Sequence, residues 1–181
     1  MPWTPSNSCR KRLENTILQR RWQESIELYH LDAATKIVDE YLEDFSDDLN
    51  VMVTFGVDHF EEVSRQYVEH YEESLVKKIS RIIKDLFRQD DIGFRTDCDI
   101  FGVFAKNYKD LEKLKERLDE FIDLVTADNS QGYVELACSI GAAFSPEAGK
   151  SFDVLYQNAE IARLNAKNTG ENTSSIYNEL K

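Results

Sequence analysis

The chain has no run of eighteen apolar residues, no apolar stretch behind its polar and then basic start (Met1 to Arg12), only three cysteines, and no glycine or proline between Cys9 and Phe45. The first absence excludes a membrane-spanning helix and the second a secretory signal, so a cytoplasmic protein without membrane insertion is expected. Cys9, Cys98 and Cys138 fall in the start, a turn and a strand, a spacing that gives neither a metal knuckle nor an even disulfide framework. Cys138 reads as a small core residue, and Cys98, on an exposed turn, as the one thiol worth testing for redox sensitivity. Positive charge is also short. With 22 basic against 34 acidic residues the net charge is −12, so the body repels nucleic acid polymers and anionic membranes. The cluster Arg10, Lys11, Arg12, Arg20 and Arg21 near the start reads as the solvated face of a helix.

What is present is enough for one globular domain with an appendage: 181 residues, 41% of them apolar. Residues 1–8, with Pro2 and Pro5, read as a disordered leader. Residues 9–45 read as an N-terminal helical segment, because Leu13, Ile17, Ile26, Leu28 and Leu31 recur at roughly helical spacing. It is one long helix or two broken near His30 to Asp32, and its apolar stripe suits either self-association as a homodimer or packing back on the domain. Residues 46–181 then alternate in type. A strand (51–57), a helix (61–88), a hairpin (92–105), a helix (108–126), a strand (133–144) and a helix (152–168) are predicted. This order argues an α/β (α+β) layer structure with helices on a mainly antiparallel sheet. Gly149-Lys150-Ser151 is not a phosphate loop, since Phe144 stands at the upstream glycine position.

Two short apolar runs, Asp91 to Arg95 and Ile100 to Ala105, flank Asp97, Cys98 and Asp99, the pattern of a β-hairpin with an acidic turn. The stretch Asp97-Cys98-Asp99-Ile100-Phe101 resembles the signature hairpin of the GGDEF family, the diguanylate cyclases, with Asp-Cys-Asp-Ile-Phe where Gly-Gly-Asp-Glu-Phe is expected. Three more segments follow in the family's order. The run from Val51, ending Asp58-His59-Phe60, resembles the first strand and its DxDHF ending; Leu136 to Ala143 resembles the TxSxGxA strand; Asn158 to Asn172 resembles the closing ADxALYxAKxxGRN helix. The resemblance covers roughly Asp32 to Tyr177 and implies a nucleotide-cyclase-like palm fold in a degenerate GGDEF domain over residues 46–181.

Cyclase chemistry of this class needs two acids to hold divalent metal, which neutralises a triphosphate and eases formation of a ribose alkoxide. The resemblance places one acid on the hairpin, present as Asp99, and one on the first strand, where Gly56 stands. Asp58 lies on the same strand face two residues on. It is either a displaced ligand or a cap on the following helix. The two family glycines let the backbone approach the nucleotide and take positive φ; Asp97 and Cys98 in their places put side chains there, Cys98 tolerating that backbone less readily. Asp97 also brings a charge that repels triphosphate by about 4 kcal/mol at ~4 Å and an effective dielectric of ~20. Ile100 replaces the hairpin glutamate ahead of Phe101, Ser64 and Glu73 match the guanine-reading asparagine and aspartate, and Lys167 matches the phosphate-binding lysine. Glu171 stands at the arginine position one turn later. Metal, turn, base-reading and phosphate positions fail together, so no catalytic residue, no resident metal and no cofactor is expected.

Arg88-Gln89-Asp90-Asp91 fits the family's Arg-x-x-Asp product-binding motif at the expected distance from the hairpin. An arginine forks onto phosphate or a guanine edge, and a carboxylate accepts from guanine N1 and N2. Without a ligand, Arg88 ends a helix and pairs with Asp90 or Asp91. The family often completes this site with a second arginine; Asp119 aligns there, with Arg117 nearby. Three functions follow: a catalytically inactive regulatory module of bacterial cyclic-dinucleotide signalling that binds cyclic di-GMP at Arg88 and Asp91; a ligand-independent scaffold for a partner protein, engaged through the N-terminal helix or the altered active-site face; and an enzyme, either a weak cyclase using Asp58 and Asp99 or a hydrolase of another nucleotide.

Overall fold

The computed structural model describes residues 28–60, 62, 71–127 and 136–180. Six strands form one sheet: β1 (Tyr29–His30), β2 (Val51–Asp58), β3 (Ile92–Arg95), β4 (Ile100–Ala105), β5 (Ala137–Phe144) and β6 (Thr173–Ile176), in the order β1-β3-β4-β2-β5-β6. The β2–β4, β2–β5 and β3–β4 pairs are antiparallel, while β1–β3 and β5–β6 at the two edges are parallel. Among the described residues four α-helices cover the faces: α1 (Leu31–Phe45), α2 (Tyr71–Leu86), α3 (Leu111–Thr126) and α4 (Phe152–Thr169).

β2 is buried on both faces along its whole length, as its valine-rich composition requires of a central strand. Alternation sends Val51, Val53, Phe55 and Val57 into a core shared with Leu75, Val76 and Ile79 of α2 and Leu114, Leu118 and Phe121 of α3. Met52 faces the other way, into a second core with Ala34 and Val38 of α1, Phe94, Phe104, and Phe152, Leu155 and Ala159 of α4. Each fully buried side chain of this size contributes roughly 1.5–3 kcal/mol relative to exposure. α4 approaches the sheet closely because its inner face is a row of alanines, Ala159, Ala162 and Ala166, all buried. Under it, a Cβ on Gly141 would run into the Ala159 carbonyl oxygen and the Arg163 amide, so only glycine fits.

Strands and helices of residues 51–169 fall where the sequence pattern places them, with shifted ends. Tyr29 and His30 lie in the segment read as one long helix or two broken near His30 to Asp32; they pair with Phe94 and Arg95 as a short edge strand, and the helix starts after them at Leu31. α1 does pack back on the domain through Ala34, Val38 and Leu42, so the fold begins well before residue 46. The leader, the start of the expected N-terminal helix, most of 61–70 and the expected strand start at 133–135 lie outside the described residues. β6 escaped the sequence reading because Thr173-Ser-Ser-Ile176 is polar and buries only its isoleucine. Lys150 pairs with Asp47 and Ser151 starts α4, consistent with no phosphate loop at Gly149. Among the described residues no helix is long and apolar enough to cross a membrane.

Asn50 ties the loops at one end of the sheet. Fully buried, it donates to the carbonyls of Phe45 and Asp48 and to Ser145 Oγ, and accepts from the Asn107 amide at 2.9 Å. Asn50→Ala removes the acceptor of the Asn107 amide and a donor shared by Phe45, Asp48 and Ser145, and is expected to lower the unfolding free energy by roughly 1–2 kcal/mol in a urea titration.

Candidate functional site

The hairpin turn is held from inside the protein. Arg95, on the last position of β3, donates from Nε to the Asp97 carbonyl at 2.8 Å and from Nη2 to the Cys98 carbonyl, with its guanidinium 5.3 Å from the Phe101 ring centroid. Burial pushes its pKa down to about 10, against the pull of the nearby acids Glu72, Asp97 and Asp99. Asp97 turns back to accept from the Cys98 amide at 2.8 Å, and the Thr96 amide donates to the Ile100 carbonyl at 3.0 Å. The described non-glycine residues with positive φ are His59, Asn107 and Asn172, so the turn forms without the left-handed backbone that the family glycines suggest. Cys98 is a correction. It is 6% exposed and disulfide-bonded, because its side chain points into the core while its carbonyl faces Arg95. Among the described residues Cys138 is free and buried.

Next to the turn, Gly56 lies on the sheet face beneath α4, in register with Ile100 of β4 and Ser139 of β5. The space above it is filled by Arg163 of α4. A Cβ on Gly56 would lie 2.5 Å from Arg163 Nη1 and 3.2 Å from Cζ. Arg163 is 7% exposed and forks onto Glu160, Nε to Oε1 and Nη2 to Oε2, each at 2.8 Å. Burial works against its charge, but the Glu160 hydrogen bond and the negative charge around it outweigh this and raise its pKa. Asp99 is half-buried; its carbonyl accepts from the Val57 amide at 2.9 Å. Burial pushes the Asp99 carboxyl up and Asp97 adds to this, while Arg163 and Lys167 pull it down without cancelling the rise.

Among the described residues Asp58 caps no helix, and it does not stand open as a ligand. Its Oδ1 lies 2.5 Å from Lys167 Nζ and its Oδ2 accepts from Ser139 Oγ at 2.8 Å. The candidate phosphate-binding Lys167 is thereby tied to a carboxylate. These residues do not fit a divalent metal: Gly56 offers no ligand, a guanidinium stands over it, and no group of three His, Cys, Asp or Glu side chains suited to a metal occurs among the described residues. A cleft of about 520 Å³ remains beside Asp58, His59, Asp99, Lys167 and Glu171. At its mouth His59 takes φ 62°, with Nδ1 2.9 Å from Glu62 and Nε2 3.5 Å from Glu171. Glu73 pairs with Lys77 at 2.6 Å, Ile100 is partly exposed, Phe101 is fully buried, and Ser64 lies outside the described residues.

The Arg88–Asp91 turn is a separate place. α2 ends at Leu86, before Arg88, and the turn is closed by the Arg88 amide donating to Asp91 Oδ2 at 2.8 Å. Asp91 Oδ1 accepts from the Lys106 amide at 3.0 Å, stapling the turn to the end of β4. Burial raises the Asp91 pKa, opposed by those two amides. The Arg88 side chain is exposed and makes no hydrogen bond or ion pair to a described residue. Beside it, Arg117 of α3 lies over the rings of Phe87 and Tyr108, 6.0 and 5.4 Å from their centroids. Tyr108 Oη and Arg117 Nη1 are enclosed and have no hydrogen-bond partner among the described residues. Burial raises the Tyr108 pKa, while the charges of Arg117 and Arg88 lower it.

The family model described as "Diguanylate cyclase, GGDEF domain" matches residues 30–173. The chain belongs to the GGDEF family. The chain is 30% identical over 126 residues to the probable diguanylate cyclase DgcT of Escherichia coli, covering 67% of this chain and 28% of that protein. It is 25% identical over 130 residues to the cyclic di-GMP phosphodiesterase PdeR of the same organism, covering 70% of this chain and 19% of PdeR. The chain thus spans less than a third of the curated relatives it matches. The GGDEF domain of DgcB from Caulobacter crescentus, solved in complex with c-di-GMP, superimposes with TM-score 0.74 at 14% identity, over 85% of this chain and 94% of that one.

Sequence reasoning missed what fills this GGDEF domain's first-strand acid position. The signal was there: in the closing-helix motif, Arg163 stands at the family's leucine and Glu160 at its aspartate. Opposite charges three residues apart can pair along a helix, and the alanines around Arg163 make its face the one turned to the sheet. The structure also brings Arg95 to the turn and Tyr108 to the Arg88 turn, neither of which has a local sequence signature.

Glu62 and then Glu171 raise the His59 pKa, so the pairing stabilises the fold below the ordinary histidine value and is lost as pH rises through the raised folded one. An NMR titration of the His59 ring is expected to show a midpoint above ~6.5 that falls in Glu62→Gln and in Glu171→Arg.

Proposed function

We propose that this GGDEF domain is a non-catalytic receptor module of cyclic di-GMP signalling, binding the dinucleotide at the turn of Arg88 and Asp91. The observation that carries this reading is the pair of enclosed polar atoms beside that turn, Tyr108 Oη and Arg117 Nη1. An enclosed unpaired polar group costs about 1–3 kcal/mol, so both side chains gain by turning outward to an acceptor-rich ligand such as a phosphodiester held by the exposed Arg88. Arg117 then serves as the second arginine, in place of the aligned Asp119. Asp91 keeps a lone pair on each oxygen beyond its two amide bonds.

Loss of cyclase activity is part of the proposal. It rests on Gly56 at the position of one metal-binding acid, on the guanidinium over it, and on the pairing of Asp58 with Lys167. A weak cyclase using Asp58 and Asp99 finds no support in that arrangement.

A protein-interaction scaffold is the second reading, favoured by the outer face of α4. Val154, Ile161 and Leu164 stand 45–50% exposed along one stripe.

Calorimetric titration with cyclic di-GMP is expected to show saturable micromolar binding, weakened about tenfold or more in Arg88→Ala and in Arg117→Ala. Incubation with GTP and Mg²⁺ or Mn²⁺ is expected to yield no cyclic product. No heat with the dinucleotide would sink the receptor reading and leave the scaffold; product that disappears in Asp99→Ala would overturn the non-catalytic one.

A further inference from the structure

We propose that the Arg163 guanidinium is the resident cation of the former metal site, standing where a divalent ion would sit and making Gly56 and Arg163 an interdependent pair. β2 alternation places Gly56 under α4, and Gly141 on the neighbouring strand brings the α4 backbone down onto the sheet at Ala159 and Arg163. With its backbone pinned there, the Arg163 side chain runs across the sheet: Cδ, Cζ and Nη1 stand 3.3, 3.2 and 2.5 Å from where a Gly56 Cβ would be. Any side chain at residue 56 would displace the guanidinium. Glu160 fixes its orientation by taking Nε and Nη2, which leaves Nη1 as the end directed over Gly56.

The charge arrangement is consistent with this assignment. Asp99, the remaining acid of the site, already feels Arg163 and Lys167, and Asp58 is paired with Lys167. A guanidinium stays charged throughout the physiological range and, unlike a metal ion, is neither lost nor exchanged. The hairpin beside it therefore keeps its local charge balance whatever the divalent-cation concentration, as suits a module that responds to another ligand elsewhere. An arginine serving only as core filler would share the steric conflict with residue 56, but removing its charge would not change the affinity of the site for a divalent cation.

The test is Mn²⁺ titration of the full chain, followed by water-proton relaxation and by paramagnetic broadening of backbone amide signals. Wild type is expected to show no saturable Mn²⁺ binding and no selective broadening at Asp99 and Ile100. The double variant Gly56→Asp/Arg163→Leu is expected to gain saturable binding, at least tenfold tighter than either single variant. Should the double variant fail to fold by circular dichroism, Arg163→Gln removes the charge at nearly the same length and is expected to admit Mn²⁺ to Asp99, seen as broadening absent from wild type. Selective broadening at Asp99 in wild type, a folded double variant without gain, or an Arg163→Gln spectrum that Mn²⁺ leaves as in wild type would each overturn the proposal. These readouts are independent of dinucleotide binding at Arg88.

Discussion

Close packing of α4 onto β2 and β5 is the constraint from which the rest of this structure follows. The helix can come so near because Ala159, Ala162 and Ala166 face two strands carrying Gly56 and Gly141. At that separation there is room over Gly56 for one side chain only. In this chain it comes from the helix, as Arg163, and not from the strand. Once a guanidinium occupies that space, a carboxylate at residue 56 is sterically excluded, and a bare cation beside it meets like charge in a partly desolvated setting.

The charged positions around Arg163 are therefore coupled. Arg163 needs Glu160 to hold its charge inside the fold, since a buried unpaired charge is far more costly than a forked pair. Lys167, one turn further along α4, is drawn to Asp58, and Glu171 beyond the helix meets His59. Along this edge the charged side chains pair with one another, Arg163 with Glu160 in the interior and Lys167 with Asp58 and His59 with Glu171 at the surface. The hairpin is held by charge as well, with Arg95 gripping the turn carbonyls from below, so that the backbone turns without glycine.

The Arg88 turn is different in kind. It is built by backbone amides on Asp91 and needs no ligand to form, yet it leaves Arg88 in solvent and two enclosed polar atoms beside it. The edge beside Asp58 pairs its charges with one another, whereas the Arg88 turn keeps an exposed guanidinium without a partner among the described residues. That contrast is what favours the Arg88 turn as the proposed ligand site.

The alternation of β2, the helical spacing of α3 and α4, and the two apolar arms around Asp97 to Asp99 were legible in the sequence, because each is set by local periodicity within one segment. The same holds for the family resemblance and for the missing acid at Gly56. Edge strands β1 and β6 were not legible, since two residues or a polar tetrapeptide become strand only by pairing with β3 and β5. Nor was the occupant of the space over Gly56, which is separated from it by 107 residues along the chain and by one van der Waals contact in space. Sequence by itself determined which side chains each element presents and which acids are gone. Tertiary structure alone decided what stands in their place, because that depends on how near α4 lies to the sheet, and the distance is fixed by glycines and alanines meeting from different elements.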